Sequence, residues 1–402
     1  MILIQIIDII LLAAFAGILG YLALLSGAAL RGRPQHINNE HKYRFAVVVP
    51  AYNEDKMIAK TLYSLFSLVY PKNFYDVFVI ADNCSDDTAD IARSIGAKVL
   101  ERHNKEQRGK GYALAWGFER ILTDDTSYEA VVVIDSDSLV TGNLLEVMNA
   151  YLHEGARVIQ SNYLVQPKPK AWNSEMSRIG FLLYNYVRPM GRKVLGLSTG
   201  LRGNGMCFSR EVLQAHPWKA WSLIEDVEYS LKLNLKGVFV EFAPLACVWT
   251  EMPDNPKSAE SQRERWELGR FEIIKKYAGP LFKAAWQQKS LKHLDILIDL
   301  VTPPLVNMMV IVTVIILTHT FLMVQILGEE WMIYEYGLLW VLTGFLAFFH
   351  FIAGLYSANA DKLLFKSIHY IPRYIFWKMK IYFKILFKGK EKEWIRTSRD
   401  NK

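Results

Sequence analysis

Hydrophobic residues form long uninterrupted stretches near both ends of this chain and short runs between them. No charged residue occurs within residues 9–30, 300–327 or 336–360. Each stretch is at least as long as the roughly 20 apolar residues with which a helix crosses a bilayer core. A buried core helix is the alternative for each stretch, but such helices rarely stay uncharged on every side over this length. The pattern predicts one N-terminal and two C-terminal transmembrane helices.

The central block, residues 42–288, instead alternates short apolar runs with helical stretches. The apolar runs are typical of parallel strands at residues 45–49, 77–80, 98–100 and 131–134. The helical stretches between them are residues 55–69, 85–95 and 109–122. Strands that alternate with helices predict an α/β fold with an open, doubly wound sheet, whose ligands bind where the strands end.

The charges beside the apolar stretches predict how the chain sits in a membrane. No Lys or Arg precedes residues 9–30, whereas Arg31 and Arg33 follow them, which favours an uncleaved anchor over a signal peptide. The connection at residues 328–335 has three Glu and no Lys or Arg, and residues 361–402 are rich in Lys. By the positive-inside rule, the central block and the tail are cytoplasmic and the N-terminus is outside the cell membrane.

Composition adds a basic, aromatic tail to this picture. The 402 residues are 51% hydrophobic and 13% aromatic, and they carry a net charge of +7. Much of the positive excess lies in residues 362–392, where Lys and Arg alternate with aromatic residues, as in helices that lie on an anionic membrane surface. A nucleic-acid patch is the alternative, but the segment directly follows a predicted span. We therefore expect membrane lipids and no nucleic acid as partners. The three Cys are widely spaced and form no zinc or disulfide pattern.

Two carboxylates follow the fourth predicted strand, in the sequence Asp135-Ser136-Asp137. Acidic residues at the end of a buried strand are costly unless something compensates their charge. A hard divalent cation such as Mg²⁺ or Mn²⁺ does so, and it can in turn hold a diphosphate. A simple acidic turn is the alternative, since such turns are common after strands.

Polar residues also end the first two strands, at the same edge of the predicted sheet. The first strand leads into Ala51-Tyr52-Asn53-Glu54, and the second leads into Asp82. The Asp82 carboxylate is suited to accept hydrogen bonds from a nucleobase or a ribose. Asp86 and Asp87 follow, and capping of the next helix is their expected role.

A third motif, Gly109-Lys110-Gly111, lies at the predicted start of a helix. Backbone N–H groups at such a position, together with a lysine, suit a phosphate group. The spacing is not that of a P-loop, and a plain turn is an equal alternative. Further along, Glu225 and Asp226 follow a glycine-rich segment that contains Gly205. This acidic pair is either a helix cap or a general base that takes a proton from an attacking hydroxyl.

Near the end of the central block lies the sequence Gln262-Arg263-Glu264-Arg265-Trp266. On a helix, Gln262, Arg265 and Trp266 share one face, because they are three and four positions apart. That face offers a cation for a diphosphate and a flat ring on which a sugar can stack. An ordinary interfacial helix with an aromatic anchor is the alternative.

Taken in order, these motifs resemble those of the family 2 inverting glycosyltransferases, in their membrane-integrated branch. That branch includes cellulose, chitin and hyaluronan synthases, rhizobial chito-oligosaccharide synthases and ceramide glucosyltransferase. The resemblance runs from residues 50–54 to Trp394, Thr397 and Arg399, which are similar to the family's C-terminal element. Many polymerising members have Thr where this chain has Ile224. That departure leaves the catalytic Asp in place and bears on the acceptor type.

The resemblance implies a GT-A fold, which is a Rossmann-like mixed sheet with flanking helices, here with interfacial amphipathic helices. It implies a single displacement at the anomeric carbon, with Asp226 as the catalytic base and no covalent intermediate. Asp135 and Asp137 would hold Mg²⁺ or Mn²⁺. The nucleotide-sugar donor would contact Ala51, Asn53, Glu54, Asp82, Lys110, Asp135, Ser136, Gln262 and Arg265. The acceptor would contact Gly205, Glu225 and Trp266.

The function that follows is transfer of a sugar from a UDP-hexose or UDP-N-acetylhexosamine to a lipid or short glycan at the cytoplasmic membrane face. A processive polysaccharide synthase is the alternative. The predicted spans hold few polar side chains apart from Asn307, His319 and His350, which favours the smaller product. An inactive scaffold would be expected to lack the base or the metal carboxylates. A nucleotidyltransferase would release pyrophosphate rather than UDP.

These patterns divide the chain into five segments. In order they are an N-terminal transmembrane helix at 1–31, a cytoplasmic catalytic domain at 42–260, interfacial helices at 261–299, two transmembrane helices at 300–360, and a basic interfacial helix with a tail at 361–402.

Overall fold

The structure, a computed structural model, describes residues 2–33, 42–167, 172–252, 256–325 and 331–388. The strands are β1 Phe45–Ala51, β2 Tyr75–Asp82, β3 Lys98–Arg102, β4 Ala130–Val133, β5 Ser138–Val140, β6 Val158–Val165, β7 Met206–Ser209 and β8 Glu241–Thr250. The helices are α1 Ile2–Ala29, α2 Ile58–Phe66, α3 Thr88–Ile95, α4 Lys110–Asp124, α5 Leu144–His153, α6 Trp172–Phe181, α7 Arg188–Val194, α8 Arg210–Ala215, α9 Glu225–Leu235, α10 Pro256–Gln287, α11 Leu291–Val301, α12 Leu305–Gln325, α13 Trp331–Ser357, α14 Lys362–Ser367 and α15 Ile371–Lys388. A π-helical segment, Leu182–Val187, joins α6 to α7.

The strands form one mixed sheet in the order β3-β2-β1-β4-β7-β6-β8-β5. β1 pairs in parallel with β2 and β4, and β2 pairs in parallel with β3, which confirms the predicted parallel half. β7 is antiparallel to β4 and β6, and β5 is antiparallel to β8. Val48 lies opposite Val133 in the register of β1 and β4. The turns after these two strands therefore meet at one edge of the sheet.

Helices cover both faces of the sheet, so its central strands are buried on both sides. In β1, Phe45, Val47 and Val49 belong to the core formed with α2 and α5, while Ala46 and Val48 belong to the core formed with α4. All five side chains are fully buried. This burial explains why the predicted strands are continuous apolar runs rather than alternating ones.

Within the described part of the chain, two helices are long and apolar enough to cross a membrane, within Gln5–Ala29 of α1 and Tyr336–Ser357 of α13. Polar side chains within them pair between helices. Ser26 Oγ lies 2.7 Å from His350 Nδ1, and Trp340 Nε1 donates to Asp8 Oδ1 at 3.0 Å. Such contacts satisfy polar groups that hydrocarbon would leave unpaired.

The span predicted at residues 300–327 is bent rather than straight. α11 and α12 meet at an angle of 70°, and they give a third crossing if the bent pair counts as one span. Pro303 and Pro304 lie at the bend, and neither has a backbone N–H to continue the helix. Arg270 of α10 donates to the carbonyl oxygen of Thr302, which caps the end of α11 from outside.

The basic tail continues from α13 through α14 into α15. On α15, Tyr374 and Lys378 are buried, whereas Phe376 is exposed, as expected for an amphipathic interfacial helix. The predicted C-terminal element at residues 394–399 and the connection at residues 328–330 lie outside the described residues. The division of the chain into five segments stays a prediction.

Candidate active site

One large cavity runs from the turns at the sheet edge to α12 and α15. Its volume is about 980 Å³. The predicted site residues that line it are Glu54, Lys110, Asp135, Ser136, Asp137, Glu225, Asp226, Gln262, Arg265 and Trp266. The fold therefore brings together residues from well-separated parts of the chain.

The turn after β4 is held by a buried amide that the sequence analysis missed. The Asp135 N–H donates to Asn204 Oδ1 at 3.1 Å, and Asn204 Nδ2 donates to Ser138 Oγ at 2.8 Å. Asn204 is fully buried, so one side chain fixes both ends of the acidic turn. The carboxylates of Asp135 and Asp137 are thereby held at the cavity wall.

Lys110 begins α4 and reaches across the cavity to this turn. Its ammonium group lies 2.5 Å from Asp135 Oδ1 and 2.5 Å from the carbonyl oxygen of Gly203. Burial alone would lower the pKa of Lys110, but the charges of Asp135, Glu225 and Asp226 outweigh it and raise the pKa. Lys110 is therefore a fixed positive charge between the two acidic motifs.

Glu225 and Asp226 form the first turn of α9. Burial raises the pKa of both carboxyl groups, and the charge of Lys110 opposes that shift. Gly203 lies directly against Asp226: it has a φ of +84°, and a Cβ built on it would lie 3.1 Å from Asp226 Oδ2. Glycine alone fits this backbone without strain and leaves the Asp226 carboxylate in place.

Glu228 lies one helical turn after Glu225, and its carboxylate holds the loop that precedes α9. Glu228 Oε2 accepts from the backbone N–H groups of Trp221 and Ser222, each at 3.0 Å. Glu228 Oε1 accepts from Lys276 Nζ at 2.7 Å and from the Tyr277 hydroxyl at 3.1 Å. Burial would raise the pKa of Glu228, but the hydrogen bonds from Lys276 and Ser222 and the charge of Lys232 lower it to about 2. Glu228 thus ties the loop and α9 to α10.

The α10 helix presents Gln262, Arg265 and Trp266 to the cavity, in keeping with their helical spacing. The ring of Trp266 lies 5.9 Å from the ring of Phe181 at the end of α6. The guanidinium of Arg263 lies 5.3 Å over the same ring. Trp266 is therefore oriented by its neighbours and forms a flat, fixed part of the cavity wall.

Asp82, predicted to contact the nucleoside, lies outside the cavity lining. Its side chain is buried in an ion pair with Arg102, with 2.6 Å between Arg102 Nη1 and Asp82 Oδ1. Burial raises the pKa of Asp82, although Arg102 opposes the shift. Contact with a nucleoside stays a prediction.

Ala51, Asn53 and Gly205 also lie outside that lining. Asn53 Oδ1 accepts from the Ser85 N–H at 2.7 Å, which fastens the turn after β1 to the turn after β2. The Gly205 carbonyl accepts from the Ser161 N–H at 2.9 Å. These contacts shape the backbone at the sheet edge, and the ligand contacts of the three residues stay predictions.

A buried charge cluster between the sheet domain and α11 was also missed. Asp299 of α11 lies 3.4 Å from Arg188 Nη1, 2.9 Å from Arg192 Nη2 and 3.4 Å from Arg202 Nη2. Such a cluster holds α11 against the catalytic side, since removing one partner leaves a buried charge unpaired. The available signal was the presence of Asp295 and Asp299, four positions apart in the apolar C-terminal half of the helix.

The acidic turn suits a divalent cation that is shared with a phosphate ligand. Among the residues that the structure describes, no group of three or more His, Cys, Asp or Glu side chains is placed to hold a metal ion. Mg²⁺ usually binds through one or two carboxylates together with substrate phosphates rather than in an all-protein cage. Asp135 and Asp137 supply two such carboxylates, and a donor diphosphate would complete the oxygen ligands.

Sequence comparison relates the chain to sugar-transferring proteins. It is 26% identical over 253 residues to "Probable glycosyltransferase YdaM" of Bacillus subtilis, which covers 60% of this chain and 58% of that protein. It is 27% identical over 252 residues to "Beta-monoglucosyldiacylglycerol synthase" of Trichormus variabilis, with 60% and 52% covered. It is 25% identical over 250 residues to "Poly-beta-1,6-N-acetyl-D-glucosamine synthase" of Staphylococcus aureus, with 59% and 57% covered. The matches thus span little more than half the length of these relatives.

Structural comparison relates the fold to that of a solved enzyme along nearly its whole length. The mannosyltransferase PcManGT of Pyrobaculum calidifontis, solved in complex with GDP-Man and Mn²⁺, superposes with a TM-score of 0.56 at 15% sequence identity. The superposition covers 96% of this chain and 99% of that one. This likeness confirms the predicted GT-A fold.

The family follows from a match over the larger part of the chain. The model of the family described as "Glycosyltransferase like family 2" matches residues 41–269, which is more than half of the sequence and includes the acidic turn, the Glu225-Asp226 pair and the Trp266 motif. This chain belongs to the family 2 glycosyltransferases.

Proposed function

We propose that this protein transfers a sugar from a nucleoside diphosphate donor to an acceptor hydroxyl at the membrane surface, with inversion at the anomeric carbon. The observation that carries the proposal is the meeting of the Asp135–Asp137 turn, Lys110 and the Asp226 carboxylate in one cavity. Family membership and the sugar-transferring relatives support it. The donor is a UDP-hexose or a UDP-N-acetylhexosamine.

Asp226 acts as the catalytic base. Its carboxylate takes the proton of the acceptor hydroxyl while that oxygen bonds to the anomeric carbon. The bond from this carbon to the diphosphate oxygen breaks on the opposite side, and the electron pair leaves with the diphosphate. Burial raises the pKa of Asp226, which makes its carboxylate a stronger base than an exposed one.

Lys110 and Arg265 supply positive charge for the departing diphosphate. Both line the cavity, and the raised pKa of Lys110 keeps its ammonium group charged at neutral pH. Fixed charges aimed at the position where negative charge develops lower the barrier without reorganisation during the reaction. A Mg²⁺ or Mn²⁺ ion held by Asp135 and Asp137 would offset the same negative charge.

The acceptor is a lipid or a short glycan rather than a growing polymer. In the apolar helices, His319 Nε2 lies 3.4 Å from Asp8 Oδ2, and His350 pairs with Ser26. Side chains engaged in such pairs do not line a polar path for a polysaccharide. The likeness to a beta-monoglucosyldiacylglycerol synthase supports a lipid. The likeness to a poly-beta-1,6-N-acetyl-D-glucosamine synthase makes polymer synthesis the second candidate.

The catalytic side faces the cytoplasm in this proposal. Arg31 and Arg33 follow α1, and the Lys-rich tail follows α13, so the positive charge lies on the side of the sheet domain. The N-terminus is then outside the cell membrane, and the five segments keep the boundaries predicted from the sequence.

The test is a nucleoside diphosphate release assay on the full chain purified in detergent. A panel of UDP- and GDP-sugars is supplied with Mn²⁺ or Mg²⁺, with and without total membrane lipids, and Asp226→Asn serves as the inactive control. We expect lipid-dependent release of UDP with one donor and a glycosylated lipid as the product.

Other outcomes contradict the proposal in distinct ways. Release of pyrophosphate would indicate a nucleotidyltransferase. Absence of release with every donor would indicate a scaffold protein. Release without added lipid, with a product of high molecular weight, would indicate polymer synthesis.

A further inference from the structure

The cavity that holds Asp226 continues well beyond the polar residues, along one face of α12. The α12 residues that line it are Leu305, Val306, Met309, Val310, Thr313 and Val314. These positions recur every three to four residues, so they form one stripe. The stripe covers nine helical steps, or about 14 Å along the helix axis at 1.5 Å per residue.

Two further helices contribute apolar walls to this part of the cavity. Ile371, Tyr374 and Ile375 lie on one face of α15, and Met176 and Ile179 come from α6. We call the part of the cavity between α12, α15 and α6 the apolar arm. Its walls consist mainly of aliphatic and aromatic side chains, and the buried Lys378 of α15, which pairs with Glu267 at 3.6 Å, lines it as well. The arm is continuous with the site around Asp226.

The stripe on α12 borders the face with which this helix packs against α1 and α13, and two of its members, Leu305 and Met309, also contact that packed cluster. Met308 and Val312 are buried against α1 and α13. Ile311, by contrast, is 43% exposed on the outer surface. Val314 lines the far end of the arm and is itself 56% exposed, so the arm opens sideways there.

The chemistry of the stripe excludes a sugar chain and suits a hydrocarbon chain. Thr313 carries its one polar side chain, and the Thr313 hydroxyl donates to the Met309 carbonyl at 2.8 Å within the helix. A glycan in the arm would lose hydrogen bonds to water and gain none from these residues. α12 also belongs to the bent pair that can cross a membrane, so its stripe lies where lipid chains are.

We propose that the apolar arm binds one hydrocarbon chain of the acceptor lipid and thereby places the lipid's hydroxyl at Asp226. This inference rests on the proposed function, because it assigns the acceptor of that reaction. The lipid's hydrocarbon chain gains little free energy on moving from the bilayer into the arm, since both surroundings are apolar. The arm therefore orients the acceptor rather than concentrating it.

Photolabelling of the full chain in phosphatidylcholine nanodiscs tests the arm without requiring turnover. The probe is a diacylglycerol with a diazirine at the end of one acyl chain, and unlabelled diacylglycerol is the competitor. We expect adducts on Met309 and Tyr374 that competitor removes. Adducts on the outer surface of α12, such as at Leu317, are not saturable because bulk lipid makes them.

Matched substitutions on adjacent positions separate the arm from the outer surface. Val310→Trp fills the arm, whereas Ile311→Trp adds the same ring to the exposed face of the same helix. The Trp ring of the Val310→Trp variant occupies space that the acyl chain would take, so competable labelling of Met309 and Tyr374 should be lost. The Ile311→Trp variant should stay within about twofold of the native protein.

A second filling variant guards against misfolding of the first. Gly180 of α6 lines the cavity, and a Cβ built on it has no atom within 4 Å, so Gly180→Leu narrows the arm without a clash. Gel filtration and the thermal midpoint of each variant in detergent establish that it is folded. We expect Gly180→Leu to lower competable labelling as Val310→Trp does.

The outcomes distinguish failure of the arm from failure of the proposed function. Equal labelling of the Val310→Trp and Ile311→Trp variants, or adducts confined to outer-face residues, would overturn the arm. A glycan oligomer that competes with the probe would also overturn it. Competable labelling in a protein that releases no nucleoside diphosphate from any donor would support the arm and refute glycosyl transfer.

Discussion

The ammonium group of Lys110 lies 2.5 Å from Asp135 Oδ1 and equally close to the carbonyl oxygen of Gly203, the residue whose Cα faces the Asp226 carboxylate. One side chain thus spans the distance between the acidic turn after β4 and the acidic turn that begins α9. Replacement of Lys110 by Met keeps the length of the side chain and removes this charge. We expect the KM for the donor to rise and kcat to fall by about tenfold to a thousandfold together, since the charge acts on the diphosphate in both states.

The control for Lys110→Met is Lys105→Met, because Lys105 is exposed in the loop before α4. Steady-state release of nucleoside diphosphate measures both variants. Donor kinetics that match the native enzyme in the Lys110 variant would exclude it from the diphosphate site.

Substitution of Asp226 by Asn should abolish transfer while leaving donor binding intact. The amide keeps the shape of the side chain but accepts no proton, so turnover should fall at least about 10²-fold. Isothermal titration with UDP measures the binding that should persist. Retained turnover would remove Asp226 as the base.

The same carboxylate should set the acid limb of the pH–rate profile. Burial raises the pKa of Asp226 above its ordinary value of 3.8, and a base acts only when deprotonated. Activity should therefore be present above the raised pKa and be lost as the pH falls through it, at a higher pH than for an exposed aspartate. A profile of kcat/KM that stays flat down to about pH 4 would contradict this assignment.

Replacement of Asp137 by Ala should remove the dependence of donor binding on Mn²⁺. One of the two carboxylates at the cavity wall is then missing, and a divalent ion shared with the donor phosphates loses a protein ligand. UDP affinity is measured with Mn²⁺ and with EDTA. An unchanged difference between the two conditions would contradict the metal role of Asp137.

Gly203 and Gly196 form a matched pair for testing the contact with the base. Both have positive φ values, +84° and +69°, but a Cβ on Gly203 would lie 3.1 Å from Asp226 Oδ2, whereas one on Gly196 meets nothing within 4 Å. Substitution of either by Ala strains the backbone by about 1–2 kcal/mol. Only Gly203→Ala should also lower kcat, with the donor KM unchanged. Equal losses of kcat in both variants would attribute the effect to backbone strain.

The contacts that Glu228 makes between α9 and α10 should stabilise the protein less at low pH. Its pKa in the folded protein is about 2, against an ordinary value of 4.5. A lowered pKa stabilises the fold above pH 4.5, and this contribution is lost as the pH falls from about 4.5 to about 2. Glu228→Gln should lower stability at neutral pH by about 1–3 kcal/mol, since charge-assisted hydrogen bonds are weakened. It should also flatten the acid dependence of the thermal midpoint.

The control for Glu228→Gln is Asp90→Asn. The pair of Asp90 with Arg93 is largely exposed, with 81% of the Asp90 side chain accessible, so it should contribute almost nothing. Equal effects of the two substitutions on the thermal midpoint would refute the role of Glu228.

The parallel half of the sheet was predictable because its strands are buried on both faces and carry continuous apolar runs. The other half was not, since β6 contains Gln160, Ser161 and Asn162, which are polar yet buried. Gln160 can lie there because its side chain accepts from the Arg202 N–H at 2.8 Å and donates to the Asn204 carbonyl at 2.7 Å. A buried polar residue that bonds to a distant loop, as Gln160 does, leaves no local pattern in the sequence.

The site shows the same division between local and distant relationships. Gln262, Arg265 and Trp266 line one cavity because a single helix sets their spacing. Asn204, by contrast, acts on Asp135 across 69 positions of sequence, and Glu228 acts on Lys276 across 48. Such partners become visible only when the chain is folded.

The bend between α11 and α12 fixes the distance between Asp226 and the start of α12. The Asp299 cluster holds α11 to the sheet domain, and Arg270 holds the end of α11. These contacts restrict changes in the distance between Asp226 and α12. An acceptor lipid whose acyl chain lies along α12 reaches the Asp226 carboxylate only if its hydroxyl is at the matching distance from that acyl chain. The enzyme would then select lipids by the number of atoms between the hydroxyl and the acyl chain. It would reject a lipid whose hydroxyl lies too close to the acyl chain, and equally one whose hydroxyl is carried on a long headgroup.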